Sequence, residues 1–443
     1  PRSHLIPILG PHSPLLFGWT FYVDQSGTHI EILDGSGKQL NEKIRTNTGQ
    51  SRNPSGQNLG FHVETKGHLA LIVLADRFFL VDLLTTPGKP QVLTTRLLGN
   101  SDDAQVSIYR QRRIALGMRS FRSIGDGNNF YGSVGPLNSN VLCYSVKDEL
   151  IALNPTTGGE LWRRKGIPAD SEIFGDESYV ILKPPGHREL EVYDATDGTF
   201  LHKADLPRTA IRRHVQREGG DWGRFFPCVE SGETEFVWSL YDPASRNSHW
   251  ERSFPPKTAW TTINGFDLAF LTPAGELSIC SGETGETLGT VKLELPQVVR
   301  QLTVIESPDS LIVLTSLAER NFSHFESYGM SISDLAERLV DGTVASVDRD
   351  SYEIAWSRSF GPQIVAAQYP KLWPVLIFAQ QRLSGIDGAV LHRQSGEEIW
   401  SGSFEEGGRG VTWSGETQTF RIRIGLGAGG VSLDCRVPLN ATE

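Results

Sequence analysis

The chain has 443 residues, with 42 Lys and Arg against 52 Asp and Glu and a formal net charge of -10 at neutral pH. That acid surplus excludes a phosphate backbone as the main partner, because affinity for nucleic acid rests on clustered cations. The 46 glycines and 24 prolines beside only 2 methionines exclude a helical bundle and leave a turn-rich, all-β chain.

In chain order, LLFGWTFYVDQSGTHIEILD begins with strand-like runs and ends on Asp34, with Gly37 just beyond. LALIVLA at 69–75 is an apolar run of strand length, too short to cross a bilayer. LVDLLTTPGKPQVL follows around Asp82 as a stretch with a lengthened turn. The segment 98–142 is read as a long insertion. It contains the basic cluster RQRR at 110–113 and a glycine-, asparagine- and aromatic-rich stretch at 119–140, either a surface excursion or a binding loop that exposes backbone amides.

ALNPTTGGELW at 152–162 then sets a repeating frame of an apolar residue, a polar marker, a Thr-Gly turn and a large closing residue, here Ala152, Asn154, Thr157, Gly158 and Trp162. VYDATDGTFLH matches it with Val192, Asp194, Asp197, Gly198 and His202, and LYDPASRNSHW with Leu240, Asp242, Ser245, Arg246 and Trp250. Looser copies follow at ICSGETGETLG (Ile279, Thr284, Gly285), SVDRDSYEIAW (Asp348, Trp356) and VLHRQSGEEIW (Ser395, Gly396, Trp400). With Asp34 and Asp82 as worn copies there are eight, spaced 39 to 48 residues apart except for two gaps of 72 and 67. Most spacings suit one four-stranded sheet, and 267–293 reads as three strands parted by Pro-Ala-Gly and Glu-Thr-Gly turns.

The second long gap holds an insertion at 317–342. Within it SISDLAERLV at 331–340 has Ser331 or Ser333 as N-cap and Ile332, Leu335, Leu339 and Val340 at helical spacing, which predicts a short helix used as packing or as a lid.

The pattern A-x-(D/N)-x-x-T-G-x-x-x-W of 152–162 resembles the tryptophan-docking repeat of the quinoprotein-like, or PQQ-like repeat, eight-bladed β-propellers. That superfamily includes pyrroloquinoline quinone (PQQ) dependent dehydrogenases and non-enzymatic outer-membrane assembly lipoproteins of the BamB type, and the chain looks closer to the second. The resemblance implies an all-β, eight-bladed β-propeller of four-stranded antiparallel blades over 1–443, closed by pairing of N- and C-terminal strands. Each large closing residue would lie against the neighbouring blade, because a lone sheet leaves two apolar faces and two edges open.

The expected function is non-catalytic binding or scaffolding, with a protein or peptide partner on the inter-blade loops. The chain, which begins at Pro1, is read as a monomeric domain of a longer bacterial protein, exported to the periplasm or cell envelope. The alternative is a PQQ-dependent, or other small-ligand, oxidoreductase.

No residue is assigned a catalytic, cofactor-binding or metal-binding role, and neither cofactor nor metal is expected. PQQ enzymes commonly hold a vicinal disulfide against the cofactor, and this chain has no Cys-Cys step and no oxygen-ligand set at a calcium-loop spacing. Cys143, Cys228, Cys280 and Cys435 are far apart, compatible with two disulfides or with four buried thiols. GLGAGG at 425–430, with Gly425, Gly427 and Gly430, is followed by a strand-like run and not by the helix a dinucleotide needs, so it reads as a strand turn. His202 stands where other copies have tryptophan and reads as a packing residue, while Asp194, Asp242 and Asp348 recur at one position and read as turn hydrogen-bonders. RRHVQR at 212–217 is read, like 110–113, as solvated surface.

Overall fold

Glycine- and proline-rich turns at short intervals cut this chain into strands, and antiparallel pairing between sequence neighbours is what such spacing favours. The computed structural model describes residues 18–24, 27–33, 44–46, 61–66, 68–74, 77–82, 91–97, 134–146, 148–168, 171–211, 222–263, 266–307, 309–317, 337–366, 375–382, 385–405, 411–416, 419–424 and 431–436. All regular structure among them is β-strand, paired antiparallel throughout the sheets described below.

Four sheets have four strands in chain order, over 61–97, 134–165, 172–205 and 259–292. Phe226–Ser231, Phe236–Asp242 and Asn247–Phe254 make a three-stranded sheet, which the bridge of Ala210 to Cys228 extends. The three strands read in 267–293 lie at Asp267–Leu271, Glu276–Cys280 and Thr287–Lys292. Gly18–Asp24, Gly27–Leu33 and Ile44–Thr46 form one sheet, and Val411–Glu416, Thr419–Ile424 and Val431–Arg436 form another. Each set is a sheet of its own, so the shared closing sheet expected from the sequence is not formed among the described residues.

Two further expectations change. The segment 301–405 is one seven-stranded sheet, because the long strand Ile354–Ala366 pairs with Glu337–Asp348 and, through Ile364 and Val365, with Val375–Arg382. The helix expected at 331–340 is also corrected at its described end. Glu337–Val340 is strand, with Leu339 opposite Ile364 and Val340 opposite Gln363. An apolar spacing compatible with a helix is overridden where a partner strand can take the backbone hydrogen bonds. Residues 331–336 lie outside the described residues, as do 98–133 of the first insertion, both basic clusters and 425–430.

The chain divides into two compact units, residues 1–228 with 240–249, and residues 229–239 with 250–443. In the first, the 134–165 sheet buries both faces. Leu142, Tyr144, Ile151 and Leu153 pack against Leu69, Leu71, Phe78 and Leu80 of the 61–97 sheet. The alternate residues Cys143, Leu150 and Ala152 pack against Ile173, Val180 and Leu182 of the 172–205 sheet. Burial on both faces explains why the inner strands are continuous apolar runs where a one-faced sheet would alternate. In the second unit, Ala269, Leu271, Leu277 and Ile279 of the 259–292 sheet pack against Leu311, Val313, Ala345 and Val347. The opposite residues Ile312, Leu314 and Val344 join Leu376, Phe378 and Leu391.

Candidate binding surface

The repeated frame is a defined turn. The marker side chain accepts the amide hydrogens two and three residues on: Asn154 Oδ1 from Thr156 and Thr157 (2.9 and 3.0 Å), Asp348 Oδ1 from Asp350 and Ser351 (3.1 and 2.8 Å). The marker carbonyl accepts the amide four residues on, at Gly158, Gly198, Arg246, Gly285, Tyr352 and Gly396. Those six residues have φ between 55° and 72°, the left-handed region that glycine enters at least cost. The strand then resumes over a bulge just after the residue two before the marker, as at Ala152/Leu153, Val192/Tyr193, Ile279/Cys280 and Val390/Leu391.

The closing residue, eight positions after the marker, reaches the next turn. Trp162 Nε1 donates to Ala195 O at 2.9 Å, Trp250 Nε1 to Gly282 O at 3.0 Å and Trp356 Nε1 to Arg393 O at 2.8 Å. His202 Nε2 lies 3.1 Å from Pro243 O, the equivalent carbonyl, so this histidine holds the tryptophan position. A Cβ added to Gly198, Gly285 or Gly396 would stand 2.6, 2.7 or 2.5 Å from the indole above it. Two residues further along, Arg164 donates to Gly198 O and Arg252 to Gly285 O (3.0 Å). Amides of Ser351 and Asp350 and the Ser351 hydroxyl hold the Asp348 carboxyl below the usual range, as Thr199 does for Asp197. A lowered folded-state value stabilises the turn at neutral pH, and that contribution fades as pH falls through the carboxylate range.

One place in the first unit adds chemistry to this frame. The segment Trp222–Phe225 turns at Gly223 (φ 56°), with Phe225 N donating to Trp222 O and Gly175 N to Gly223 O. This sets Arg224 between two turns. Its Nη1 donates to Asp176 Oδ2 at 2.7 Å and its Nε to Asp242 Oδ1 at 3.0 Å. Both carboxylates also hold turn amides, Asp176 those of Ser178 and Tyr179 and Asp242 that of Ala244. Burial works against the Arg224 charge, but the hydrogen bond to Asp242 and the field of Asp176 outweigh it and hold the guanidinium above its ordinary value.

The guanidinium carbon lies 4.9 Å from the Tyr179 ring centroid and 4.7 Å from that of Phe225, and the exposed His249 ring stacks on Phe225 at 4.7 Å. Tyr179, Arg224, Phe225 and His249 thus form a ladder of planar groups, partly open to solvent and fixed by two carboxylates. Both acids are engaged by Arg224 and by turn amides, which fixes the guanidinium from two sides.

Sequence reading placed Asp242 as a turn residue and had no signal for its ion pair, since Arg224 is a lone cation in GDWGRFF. It also missed a recurring link between sheets, in which the buried Ser171 and Thr258 hydroxyls donate to Pro168 O (2.6 Å) and Pro255 O (2.7 Å). The spacing Pro-x-x-Ser/Thr was the available clue.

Cys143, Cys228 and Cys280 are free and buried, so the framework of two disulfides is excluded. The Cys435 side chain lies outside the described residues. Burial raises all three thiols, Cys228 to about 11. With so little thiolate at neutral pH, all three should resist a disulfide reagent such as DTNB in the folded protein and react fully in denaturant. Fast native labelling at any of the three, located by peptide mass, would contradict this packing.

Among the described residues no group of three or more His, Cys, Asp or Glu is arranged to hold a metal ion, and no helix is long and apolar enough to cross a membrane. The described residues make an all-β chain of antiparallel sheets. No protein-family model matches it, and no curated protein sequence does.

Among solved structures, BamB from Moraxella catarrhalis aligns with 84% of this chain and 95% of its own at 11% identity and a TM-score of 0.31. The computationally designed Ika8 protein aligns with 90% of this chain and 98% of its own at 11% identity and a TM-score of 0.37. A europium-containing methanol dehydrogenase aligns with 87% of each chain at 12% identity and a TM-score of 0.33. At this identity and score, none of the three carries a function across to this chain.

Proposed function

We propose that the chain is a quinoprotein-like β-propeller of eight blades, acting as a rigid, non-catalytic binding module for an extended protein segment. The eight copies of the marker frame support the blade count, and the contacts of Trp162, His202, Trp250 and Trp356 with the following turn support radial stacking. The observation that carries the function is the ladder of Tyr179, Arg224, Phe225 and His249. It is partly exposed and clamped by Asp176 and Asp242, so a segment binding there would not have to order it first. Envelope placement belongs to this reading and rests on the repeat resemblance alone.

The test is a pull-down from envelope and cytosolic fractions with the parent chain and with Phe225→Ala and His249→Ala. A partner retained by the parent and lost by variants of unchanged stability is the expected result. Stoichiometric uptake of the quinone with calcium, seen in visible absorbance and joined to dye-linked alcohol oxidation, would replace the binding module with an oxidoreductase.

A further inference from the structure

Among the described residues, three tryptophan contacts between successive turns have one polarity. The ring stands on the closing strand of one copy and its seat is the left-handed glycine of the next: Trp162 over Gly198, Trp250 over Gly285, Trp356 over Gly396. The copy marked by Ser281 and the copy marked by Asp348 break this rule together. The ring position of the first is Gly289, opposite Ile279 as Trp162 is opposite Ala152. The seat position of the second is Tyr352, left-handed at φ 55° although it is not glycine. A Cβ on Gly289 would run into Cγ, Cδ2 and Cε2 of the Tyr352 ring.

We infer that Gly289 and Tyr352 make the same contact with the roles exchanged, and that this reversed clasp selects which copy can follow which. A chain of look-alike sheets faces a pairing problem, since a tryptophan that fits one glycine seat fits another. The Ser281 copy offers no ring to a glycine seat, and the Asp348 copy offers an occupied seat to any tryptophan. The two are therefore matched at this step, and the Tyr352 seat refuses a tryptophan from any other copy, whether of this chain or of a second molecule exchanging sheets with it.

The test uses the full chain with Gly289→Trp, Tyr352→Gly and both together. Each single change is expected to lower the urea midpoint and speed hydrogen exchange in 276–292 and 348–354, and the double to return both readings to near the parent's. Gly289→Ala is a milder form for a tryptophan variant that does not fold. It should destabilise the parent and be tolerated with Tyr352→Gly. Losses that simply add in the double would overturn the exchange of roles. Neighbour selection has its own readout, refolding from urea at high concentration. With tryptophan over glycine here as at 162/198, 250/285 and 356/396, the double variant should refold with lower yield and more exchanged dimer than the parent, and equal yield and equal dimer would overturn it.

Discussion

Replacing Trp162 with alanine is expected to destabilise the first unit by about 3–5 kcal/mol, the range for truncating a buried large aromatic. Trp162 is 8% exposed, and its ring covers Gly198 while its N–H donates to Ala195 O at 2.9 Å. Roughly 200 Å² of indole surface at about 25 cal/mol per Å² gives an upper figure near 5 kcal/mol, consistent with that range. Trp162→Phe should keep most of the contact and lose about 1 kcal/mol for the hydrogen bond, plus the smaller ring's shortfall in area. Urea unfolding, with hydrogen exchange over 193–200, measures both. A Trp162→Ala loss below about 1 kcal/mol would mean that the indole is not what joins the 134–165 and 172–205 sheets.

Gly198→Ala tests the same contact from the other side, at an expected cost of about 2–5 kcal/mol. Two terms add. At φ 68° a side chain costs about 1–2 kcal/mol, and a Cβ 2.6 Å from Trp162 Cδ2 and Cε3 must push the ring from its seat, an overpacking cost of about 1–3 kcal/mol. The double variant with Trp162→Ala separates them, since without the ring only the backbone term remains. Its loss should therefore fall short of the sum of the two single losses by roughly 1–3 kcal/mol. Strict additivity would show that residues 162 and 198 do not meet in solution.

The markers were legible because a local rule governs them. A side-chain acceptor serving the amide two residues on, followed by a left-handed residue, is written within the eleven residues of 152–162 and recurs at 192–202. His202 as a packing residue and Asp194, Asp242 and Asp348 as turn acceptors were readable for the same reason. The candidate surface was less legible. Its carboxylates lie at opposite ends of a stretch from 176 to 242, and nothing near Arg224 in sequence announces either partner.

What the sequence by itself determined is where the chain turns, which runs are apolar, and that Trp162, His202, Trp250 and Trp356 share one position of the repeat. Only tertiary structure decided that Glu337–Val340 is strand, that 301–405 is one sheet, that Arg224 joins two turns, and that Tyr352 fills the space left by Gly289. Turn geometry and side-chain alternation depend on residues a few positions apart. The choice of partner strand, ion pair or seat is a competition among groups far apart in the chain, settled by which contacts bury the most apolar surface and leave the fewest polar groups unpaired.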